Sequence, residues 1–467
     1  MPESSSKRIA IIGGGIAGLA AAYRLVQRAP TCQFTLFEAG GRLGGVISTV
    51  HRDGFQVEQS ADNFITTIPW GLDLCRRLGL SEQLVGTNPA HRRTYVVRAG
   101  RLCRLPDGFM MMAPTQMWPL ALTPILSPLG KLRAAIEYVI PPRRDPADES
   151  MANFVRRRLG REAFERLVEP LVSSVYAADM EKLSVLATLP RFREMEREHG
   201  SLIRAMRRQM KRGPAGKGES GPRYSMFVTL RDGLSTLVEA IAARLPAGSV
   251  RLNCPVQRIE RCDRGWRIFT ADGPAEFDAL IVAAPSHVAA ELLTPIDAGL
   301  ATDLGQIEHS GTAIVSLGYD QTQFRRAIDG MGVCVPSVER SPILACSFSS
   351  QKYPHRAPEG KTLLRVFVGG ARHPELAEMP DAELVPFVLK HLEPLLGIRG
   401  EPVFCDTAHW PRTMPQYHVG HCDRVVRIES AVSRLSGLHL AGNAYRGVGI
   451  PDCIHGGEMA ADKSLEK

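Results

Sequence analysis

A glycine-rich loop near the start of the chain has the residue types and spacing to bind phosphate groups. Gly13-x-Gly15-x-x-Gly18 follows a short apolar run and precedes a segment with apolar residues at helical spacing. Such glycines permit a tight turn, close approach of the backbone to a pyrophosphate and close helix–strand packing, and the helix N-terminus offers free N–H groups. Glu38 ends the next apolar run, where a carboxylate accepts hydrogen bonds from ribose hydroxyls. The pattern predicts a dinucleotide site; the alternative is a glycine-rich turn without a ligand.

Two further glycine-rich stretches fit the same chemistry. Gly41-Arg42-Leu43-Gly44-Gly45 follows Glu38, and its arginine is placed to neutralise a pyrophosphate. The two adjacent glycines let the chain pass close to a cofactor. Near the C-terminus, Leu440-Ala441-Gly442-Asn443 and the segment 447–453 place small residues ahead of a helix. The alternative for this second stretch is a glycine-rich turn before an amphipathic helix.

The sequence provides little support for a metal site or for acid–base catalysis. The ten cysteines are scattered singly, without a CxxC pair, so we expect reduced, mostly buried thiols in a cytoplasmic protein and no metal. Tyr417, His418 and His421 are interpreted as a structural turn before the final cofactor segment. No carboxylate or histidine pair has a spacing that demands proton transfer, so we assign no catalytic side chain.

Secondary-structure patterns position these motifs. Ile9–Ile12 and Phe34–Phe37 read as buried strands flanking a helix at Ile16–Arg28, the unit that a dinucleotide fold requires. Hairpins are predicted around Asp53-Gly54 and Ala99-Gly100, a mainly helical region from Lys131 to about Met210, and an exposed loop at Lys211–Arg223. Later strands are predicted at 250–259, 266–270, 279–284, 313–319, 343–348, 363–368 and 439–441, and later helices at 233–245, 382–395 and from about 453 to the C-terminus.

Length and composition restrict the class of protein. A chain of 467 residues suggests about three domains, and 44% apolar with 23% charged residues is ordinary for a globular protein. The net charge of +8 suits nucleic acid, an acidic membrane surface or a polycarboxylate ligand, or is simply a basic surface. The uncharged segment 109–129 is broken by four prolines, so we predict no transmembrane helix. It reads either as a surface that touches a membrane or lines an apolar tunnel, or as an ordinary core segment.

The glycine motifs and the extension after Glu38 resemble the FAD-binding oxidoreductases of the amine-oxidase and phytoene-desaturase superfamily. Within that superfamily the whole chain is similar to the bacterial-type porphyrinogen oxidases of heme biosynthesis. The motifs that carry this resemblance run in order along the chain: Asp53-Gly54-Phe55 with Glu58, then 154–160, 169–171, 175–177 with Leu183-Ser184, 415–421 and 447–453.

The resemblance implies an enzyme with FAD as cofactor and O2 as electron acceptor. A porphyrinogen would lose six electrons in three hydride transfers to the flavin N5, with release of hydrogen peroxide, and the flavin would carry the chemistry. The implied cofactor-binding residues are Gly13, Gly14, Gly15, Ile16, Ala17, Gly18, Glu38, Arg42, Gly45, Val46, Ser60, Ala61, Asp62, Asn63, Val256, Asn443, Val448, Gly449 and Ile450. The implied substrate-binding residues are Arg92, which would bind a propionate, and Ala178, Met331 and Phe367.

Two departures from the family pattern bear on substrate geometry. Gln59-Ser60-Ala61 stands where the family has Gly-Pro after the hairpin glutamate, and Ala178 stands where it often has glycine. Other readings therefore stay open: a carotenoid-type desaturase, an amine oxidase, or a flavin-bearing porphyrin carrier without turnover. The chain has no lysine between Lys217 and Lys352, which counts against amine oxidation, since amine oxidases place a lysine near the flavin from the middle sheet.

The expected fold is mixed α/β (α+β), a Rossmann-like FAD-binding domain with an inserted mixed-sheet substrate domain and a helical cap or membrane-contact domain. The predicted FAD-binding domain combines 1–85, 224–295 and 405–467. The substrate domain combines 86–110 and 296–404, and the helical domain is 111–223. We expect a monomer or homodimer in the cytoplasm that binds no nucleic acid, with peripheral contact to the inner face of the cell membrane through 109–129.

Overall fold

The structure is a computed structural model that describes residues 7–114, 116–211, 226–263 and 265–466. Its strands are β1 Arg8–Ile12, β2 Gln33–Phe37, β3 Thr49–Arg52, β4 Phe55–Glu58, β5 Phe64–Ile65, β6 Leu84–Gly86, β7 Thr94–Arg98, β8 Arg101–Arg104, β9 Phe109–Met110, β10 Ala113–Pro114, β11 Phe227–Leu230, β12 Val250–Arg251, β13 Arg258–Cys262, β14 Gly265–Thr270, β15 Gly273–Phe277, β16 Ala279–Val282, β17 His309–Asp320, β18 Gly332–Cys334, β19 Ile343–Phe348, β20 Lys361–Gly369, β21 Phe404–Pro415 and β22 Leu438–Leu440.

The helices alternate with these strands at both ends of the chain and are concentrated in its middle. They are α1 Ile16–Arg28, α2 Trp70–Arg77, α3 Met117–Leu122, α4 Pro128–Ala135, α5 Met151–Leu159, α6 Arg161–Ala163, α7 Glu169–Tyr176, α8 Val185–Thr188, α9 Pro190–His199, α10 Leu202–Lys211, α11 Ser235–Ala242, α12 Ser286–Leu293, α13 Ala298–Gly305, α14 Ser349–Lys352, α15 Asp381–Leu396, α16 His421–Ser433 and α17 Ile450–Leu465. The mixed α/β class predicted from the sequence is confirmed.

A parallel five-stranded sheet, in the order β12-β2-β1-β16-β22, forms the base of the glycine loop. Residues 9–12 of β1 are buried on both faces, as the continuous apolar run requires. Helices α1, α2, α11 and α17 cover one face, and α12, α13 and α16 cover the other. The N-terminal strand–helix–strand unit is therefore confirmed, and its sheet recruits strands from the centre and the end of the chain.

A mixed seven-stranded sheet, in the order β21-β17-β20-β19-β18-β7-β8, forms the second large layer. All its pairs are antiparallel except β18 with β7. One face packs on α15. Because side chains alternate along a strand, Arg365 and Phe367 of β20 share the opposite face.

The predicted helical region from Lys131 to about Met210 is confirmed, since it contains the end of α4 and helices α5 to α10. These helices share an apolar core with α3. That core includes Phe154, Leu167, Val168 and Phe192, each at most 3% exposed. Ion pairs buried beneath it join Arg158 to Glu137 and Glu196. None of the described helices is long and apolar enough to cross a membrane.

The structure corrects one predicted strand. Residues 250–259 were expected to form a single strand, but β12 ends at Arg251 and β13 begins at Arg258. Asn253 has a φ of +52°, which turns the chain, and Pro255 has no N–H to donate to a ladder. The predicted loop 211–223 lies outside the described residues, apart from Lys211 at the end of α10.

Two elements pack with a different domain from the one to which the predicted boundaries assign them. β21 pairs with β17 along the seven-stranded sheet, although the boundary at residue 405 groups it with the cofactor domain. Conversely, Leu300 and Leu304 of α13 pack in the core beneath the five-stranded sheet, although 296–404 was grouped with the substrate sheet.

Candidate functional site

The glycine loop joins β1 to α1 in a conformation that excludes side chains at two positions. Gly13 has a φ of +105°, and a methyl group there would lie 2.7 Å from the carbonyl oxygen of Ala283. At Gly18 a methyl group would lie 1.9 Å from the carbonyl oxygen of Gly13. These two glycines are therefore required by the fold itself.

Gly15 is different, because its missing side chain leaves open space. A methyl group there would meet no neighbour closer than the Cα of Gly45, at 4.0 Å. Gly15 is also the residue before α1, which begins at Ile16. Gly15 therefore leaves room beside the start of α1, whose first N–H groups have no side-chain cap and are the donors that a phosphate site requires. Ala17 lies on the buried side of the helix and contacts α17 at Gly457.

Glu38, at the end of β2, closes the loop from the other side. Its Oε2 accepts a hydrogen bond from the Gly14 N–H, and its Oε1 accepts one from the Gly40 N–H, both at 2.7 Å. A carboxylate has lone pairs to spare after these two bonds, so it can still accept from a ribose. Behind Glu38, the carbonyl oxygen accepts from the Cys254 N–H at 2.9 Å, and Val256 follows on the same segment.

The arginine-glycine extension wraps against the glycine loop. Gly44 donates its N–H to the carbonyl oxygen of Gly14 at 2.8 Å, and both Gly44 and Gly45 have positive φ. The Arg42 guanidinium donates to the carbonyl oxygens of Gly45 at 2.6 Å and Ile47 at 2.9 Å. Arg42 is exposed, so its charge stays at the rim of the open space beside Gly15. Val46 is also exposed there, at 40%.

Residues 60–63 connect β4 to β5 and lie against the seven-stranded sheet. The backbone N–H of Gln59 donates to the carbonyl oxygen of Ser48 at 2.8 Å, which places the segment beside the arginine-glycine extension. The Trp410 indole N–H donates to the carbonyl oxygen of Gln59 at 2.5 Å. Ala61 is exposed, and the Asn63 amide donates to a carboxylate oxygen of Asp62 at 2.7 Å. The hydroxyl oxygen of Ser60 is buried without a hydrogen-bond partner among the described residues.

The C-terminal segment reaches the same place from the other end of the chain. The Asn443 amide donates to the carbonyl oxygen of Thr413 at 3.2 Å, at the end of β21. Gly449 immediately precedes α17, which begins at Ile450 with its N-terminal turn beside α2. Burial raises the pKa of Asp452 in that first turn. Val448 packs against the core of the helical unit, which also contains Ala178.

The predicted propionate anchor, Arg92, lies just before β7 of the seven-stranded sheet. It is exposed and makes no ion pair with any residue in the described ranges, whereas its neighbour Arg93 is paired with Asp329. The Met331 N–H donates to the carbonyl oxygen of Arg93 at 2.7 Å, so the backbones of Arg92 and Met331 lie close together. Phe367 lies on β20 opposite Ala345, and the Arg365 guanidinium is 5.2 Å from its ring centroid.

Ala178 forms part of the wall of a cavity of about 290 Å³ between α7 and the seven-stranded sheet. The rim carries two exposed arginines, Arg340 and Arg372, and the Arg372 guanidinium is 3.4 Å from the buried carboxylate of Glu169. Burial raises the pKa of Glu169, and Arg372 partly opposes this. The other three predicted substrate residues, Arg92, Met331 and Phe367, do not line this cavity.

Sequence reasoning missed a group of buried basic residues beside residues 60–63. Arg356 and Arg365 are at most 1% exposed on their side chains, and Lys352 is 16% exposed. A signal was present for one of them: Arg365 interrupts the apolar run of β20, and a charge inside a buried strand needs a specific partner. The other two lie in and after the short helix α14, where no periodic pattern marks them.

The residues around Gly15 fit a dinucleotide cofactor. The open space at Gly15 and the N-terminus of α1 together form a cradle that a side chain on Gly15 would narrow. Glu38 fixes the loop beside it by accepting from two backbone N–H groups. In the described ranges, no three histidine, cysteine or acidic side chains gather as metal ligands would. Tyr417 lies between β21 and α16. His418 precedes the turn at 419–420, which the His421 N–H closes by donating to the His418 carbonyl oxygen at 2.9 Å, and His421 begins α16.

Comparison with known proteins agrees with this site. Residues 16–464 match the family of flavin containing amine oxidoreductases. A coproporphyrinogen III oxidase from Bacillus subtilis (strain 168) is 35% identical over 469 residues, covering 99% of each chain. The chloroplastic protoporphyrinogen oxidase of Nicotiana tabacum is 31% identical, over 97% of this chain and 84% of that one.

A solved structure from Exiguobacterium sp. 255-15, provisionally assigned as a protoporphyrinogen oxidase, is 33% identical with a TM-score of 0.88, covering 99% of this chain and 100% of that one. The cofactor is FAD, as the glycine loop and its extension predict, and the protein is an oxidoreductase. The chain belongs to the flavin containing amine oxidoreductase family.

Proposed function

We propose that this protein oxidises a porphyrinogen to the porphyrin in heme biosynthesis, with O2 as the oxidant. Six electrons and six hydrogens leave the substrate in three two-electron steps, and three O2 molecules become three hydrogen peroxide molecules. The observation that carries the proposal is the full-length match to enzymes named for this reaction, both bacterial and plant. The bound flavin supplies the two-electron chemistry, as a cofactor does for a reaction that side chains cannot perform.

The side chains bind and orient the substrate. Arg92 is an exposed guanidinium without an ion-pair partner in the described ranges, which suits bidentate binding of a propionate. Met331 and Phe367 offer apolar surface to the macrocycle. The pyrrole N–H groups lose protons by tautomerisation, so the reaction does not demand a general base from the protein.

Coproporphyrinogen III is the substrate that we favour. The relative named for it matches the chain over 99% of both lengths at 35% identity, whereas the plant protoporphyrinogen oxidase matches at 31% over 84% of its own length. Coproporphyrinogen III carries four propionates and protoporphyrinogen IX carries two. Arg340 and Arg372, at the rim of the cavity beside Ala178, are cations that could meet the additional carboxylates.

Amine oxidation is less well supported. The chain has no lysine between Lys217 and Lys352, so β17, the strand next to the edge strand β21 of the seven-stranded sheet, carries none. A desaturase acting on a carotenoid would not need the cations at Arg92, Arg340 and Arg372. A carrier without turnover would bind porphyrin but would not reduce the flavin.

A peripheral membrane contact is the second part of the proposal. Trp118, Leu122 and Leu129 are 79%, 77% and 79% exposed, and Leu132 and Val139, farther along the same segment, are 61% and 68% exposed. Large exposed apolar side chains in one stretch mark a docking surface, and the net charge of +8 favours an anionic lipid surface. We therefore propose that residues 118–139 rest on the cytoplasmic face of the membrane, a stretch that overlaps the segment 109–129 and extends beyond it.

The domain division is also proposed in a revised form. The cofactor domain would take α13 from the substrate segment, because α13 packs beneath the five-stranded sheet. The substrate domain would take β21, because β21 pairs with β17. The remaining boundaries stand as predicted from the sequence.

Turnover tests the proposal directly. Purified protein with bound FAD is incubated in air with coproporphyrinogen III or protoporphyrinogen IX. Porphyrin fluorescence and hydrogen peroxide should rise together, with about three peroxides per porphyrin by the stoichiometry above. Absence of both products with both substrates would rule out the proposal.

A further inference from the structure

Three buried basic side chains surround residues 59–62, and the reaction described so far does not use them. We call Lys352, Arg356 and Arg365 the cation cluster. Two carboxylates, Glu58 and Asp62, lie among them. Burying such charges costs free energy, and replacing buried ion pairs with apolar side chains is often neutral for stability. Stability alone therefore does not explain why the chain has these residues.

The cluster holds the backbone of this segment. The Arg365 guanidinium donates to the carbonyl oxygen of Ser60, and the Arg356 guanidinium donates to the carbonyl oxygen of Asp62 at 2.9 Å. The Lys352 ammonium donates to the Asp62 carboxylate at 3.2 and 3.3 Å. The carbonyls of Ser60 and Asp62 therefore turn toward the seven-stranded sheet.

The cluster brings together more basic side chains than acidic ones. Burial alone would raise the pKa of Asp62, but Lys352, Arg365 and Arg356 together lower it well below its ordinary value. Burial raises the pKa of Glu58, with Arg356 in opposition. Three basic side chains therefore face two acidic ones, and although burial lowers the pKa of Lys352 and of Arg365, the carboxylate of Asp62 opposes both shifts.

Both guanidinium groups also have N–H donors that make no hydrogen bond to the described residues. The Nε atoms of Arg356 and Arg365 are buried and have no hydrogen-bond partner among the described residues. Their Nη1 atoms lie 3.7 and 3.6 Å from Oδ2 of Asp62, beyond hydrogen-bond distance. A buried positive region with unused donors favours additional negative charge nearby.

Residues 59–62 lie between the two ends of the cofactor site. On one side, Gln59 is hydrogen-bonded to Ser48, which follows the extension that packs on Gly15. On the other side, Gln59 accepts from Trp410, and β21 then leads to Thr413, which accepts from Asn443. The first residue of the segment is therefore tied to both parts of the cofactor site, while the next residues are bound to the cation cluster.

We propose that the cation cluster positions residues 59–62 against the flavin and favours its reduced, negatively charged form. Reduction adds two electrons and one proton to the flavin and leaves one negative charge, and the electrons come from the substrate or, in the test, from a chemical reductant. Lys352, Arg356 and Arg365 act through the segment and through their field, so they are positioning residues. The inference concerns the flavin and does not depend on which substrate is oxidised.

The flavin reduction potential, measured against a reference dye without porphyrinogen, tests this proposal. Arg365→Met should disfavour the reduced flavin by about tenfold in the equilibrium constant, a shift of about 30 mV to more negative potential. Asp62→Asn, which removes a negative charge from the cluster, should shift the potential in the positive direction. Arg267→Met, which removes an exposed arginine on β14, should leave it unchanged.

Shifts of the reduction potential in opposite directions would identify an electrostatic role. If the variants only loosened the packing, the direction of the shift would not depend on the sign of the charge that was removed. If Arg365→Met does not retain FAD, Lys352→Met is measured against Asp62→Asn in its place. Unchanged potentials, or shifts of the same sign, would overturn the proposal. A protein that oxidises no porphyrinogen but shows opposite shifts would contradict the proposed function and leave this inference intact.

Discussion

The Tyr417 hydroxyl joins two parts of the C-terminal cofactor segment. It donates a hydrogen bond to the carbonyl oxygen of Asn443 at 2.5 Å and accepts one from the Gly447 N–H at 2.9 Å. Its ring is 2% exposed and stacks on His421 with centroids 3.9 Å apart. Burial raises the pKa of Tyr417 and lowers that of His421 to about 4, so both side chains are neutral near pH 7. A neutral, fixed pair thus holds the turn that leads into α17.

Tyr417→Phe should loosen this turn while keeping the stacked ring. Loss of two hydrogen bonds to partly buried backbone groups, at about 0.5–1.5 kcal/mol each, should lower the free energy of unfolding by about 1–3 kcal/mol. FAD should also bind more weakly, by about tenfold, for the same reason. Urea unfolding and FAD titration measure the two effects. The matched control is Tyr445→Phe, because the Tyr445 hydroxyl is buried without a hydrogen-bond partner in the described chain. Equal losses in the two variants would contradict this role for Tyr417.

Gly15→Ala tests whether Gly15 is needed for protein stability or for FAD binding. A methyl group on Gly15 meets nothing within 4.0 Å, and φ is −68°, so the apoprotein should keep its stability to within about 1 kcal/mol. FAD affinity should fall at least about tenfold, because the methyl group occupies the space of a phosphate.

Gly305→Ala is the control for that variant, since its methyl group would make an ordinary contact 3.7 Å from Ala290. Thermal unfolding of the apoprotein and equilibrium dialysis of FAD provide the two readings. Unchanged FAD affinity in Gly15→Ala would show that no phosphate lies beside this residue.

The cofactor half of the site was predictable from the sequence because local spacing determines it. Gly13, Gly18 and Glu38 lie within one strand–helix–strand unit, and the close approach of Gly18 to Gly13 follows from helix–strand packing. Arg365 was not predicted, since its partner Ser60 is 305 residues away and only the sheet pairing brings them together. The strand 250–259 was mispredicted because the turn at Asn253 interrupts a run that reads as β-forming.

Arg92→Met tests the propionate anchor. Charge-assisted hydrogen bonds contribute about 1.5–3 kcal/mol, so kcat/KM for coproporphyrinogen III should fall by about tenfold to a hundredfold, mainly through KM. Arg101→Met removes an equal charge from the exposed start of β8 and should change kcat/KM little. Steady-state assays measure kcat/KM and KM for both variants. An effect of the same size in Arg101→Met would reduce the role of Arg92 to general electrostatic attraction.

The apolar surface at 118–139 is tested by vesicle flotation. The protein should float with vesicles of anionic phospholipid, and the triple variant Trp118→Ser, Leu122→Ser and Leu129→Ser should remain in the dense fraction. Each buried side chain of this size contributes about 1.5–3 kcal/mol, so the loss should exceed tenfold.

The control triple variant replaces apolar residues that are exposed elsewhere, namely Val403, Val419 and Val426, with serine. It should float like the unchanged protein. Failure of the unchanged protein to float, or equal loss in both triple variants, would exclude a membrane contact through this surface.

The central claim is that a porphyrinogen reduces the flavin of this protein. The most direct measurement mixes the FAD-loaded protein with coproporphyrinogen III without oxygen in a stopped-flow instrument and follows the flavin absorbance near its visible maximum. The account predicts that the absorbance bleaches within the turnover time and returns, together with porphyrin fluorescence, when O2 is admitted. A flavin that stays oxidised with coproporphyrinogen III and with protoporphyrinogen IX would contradict it.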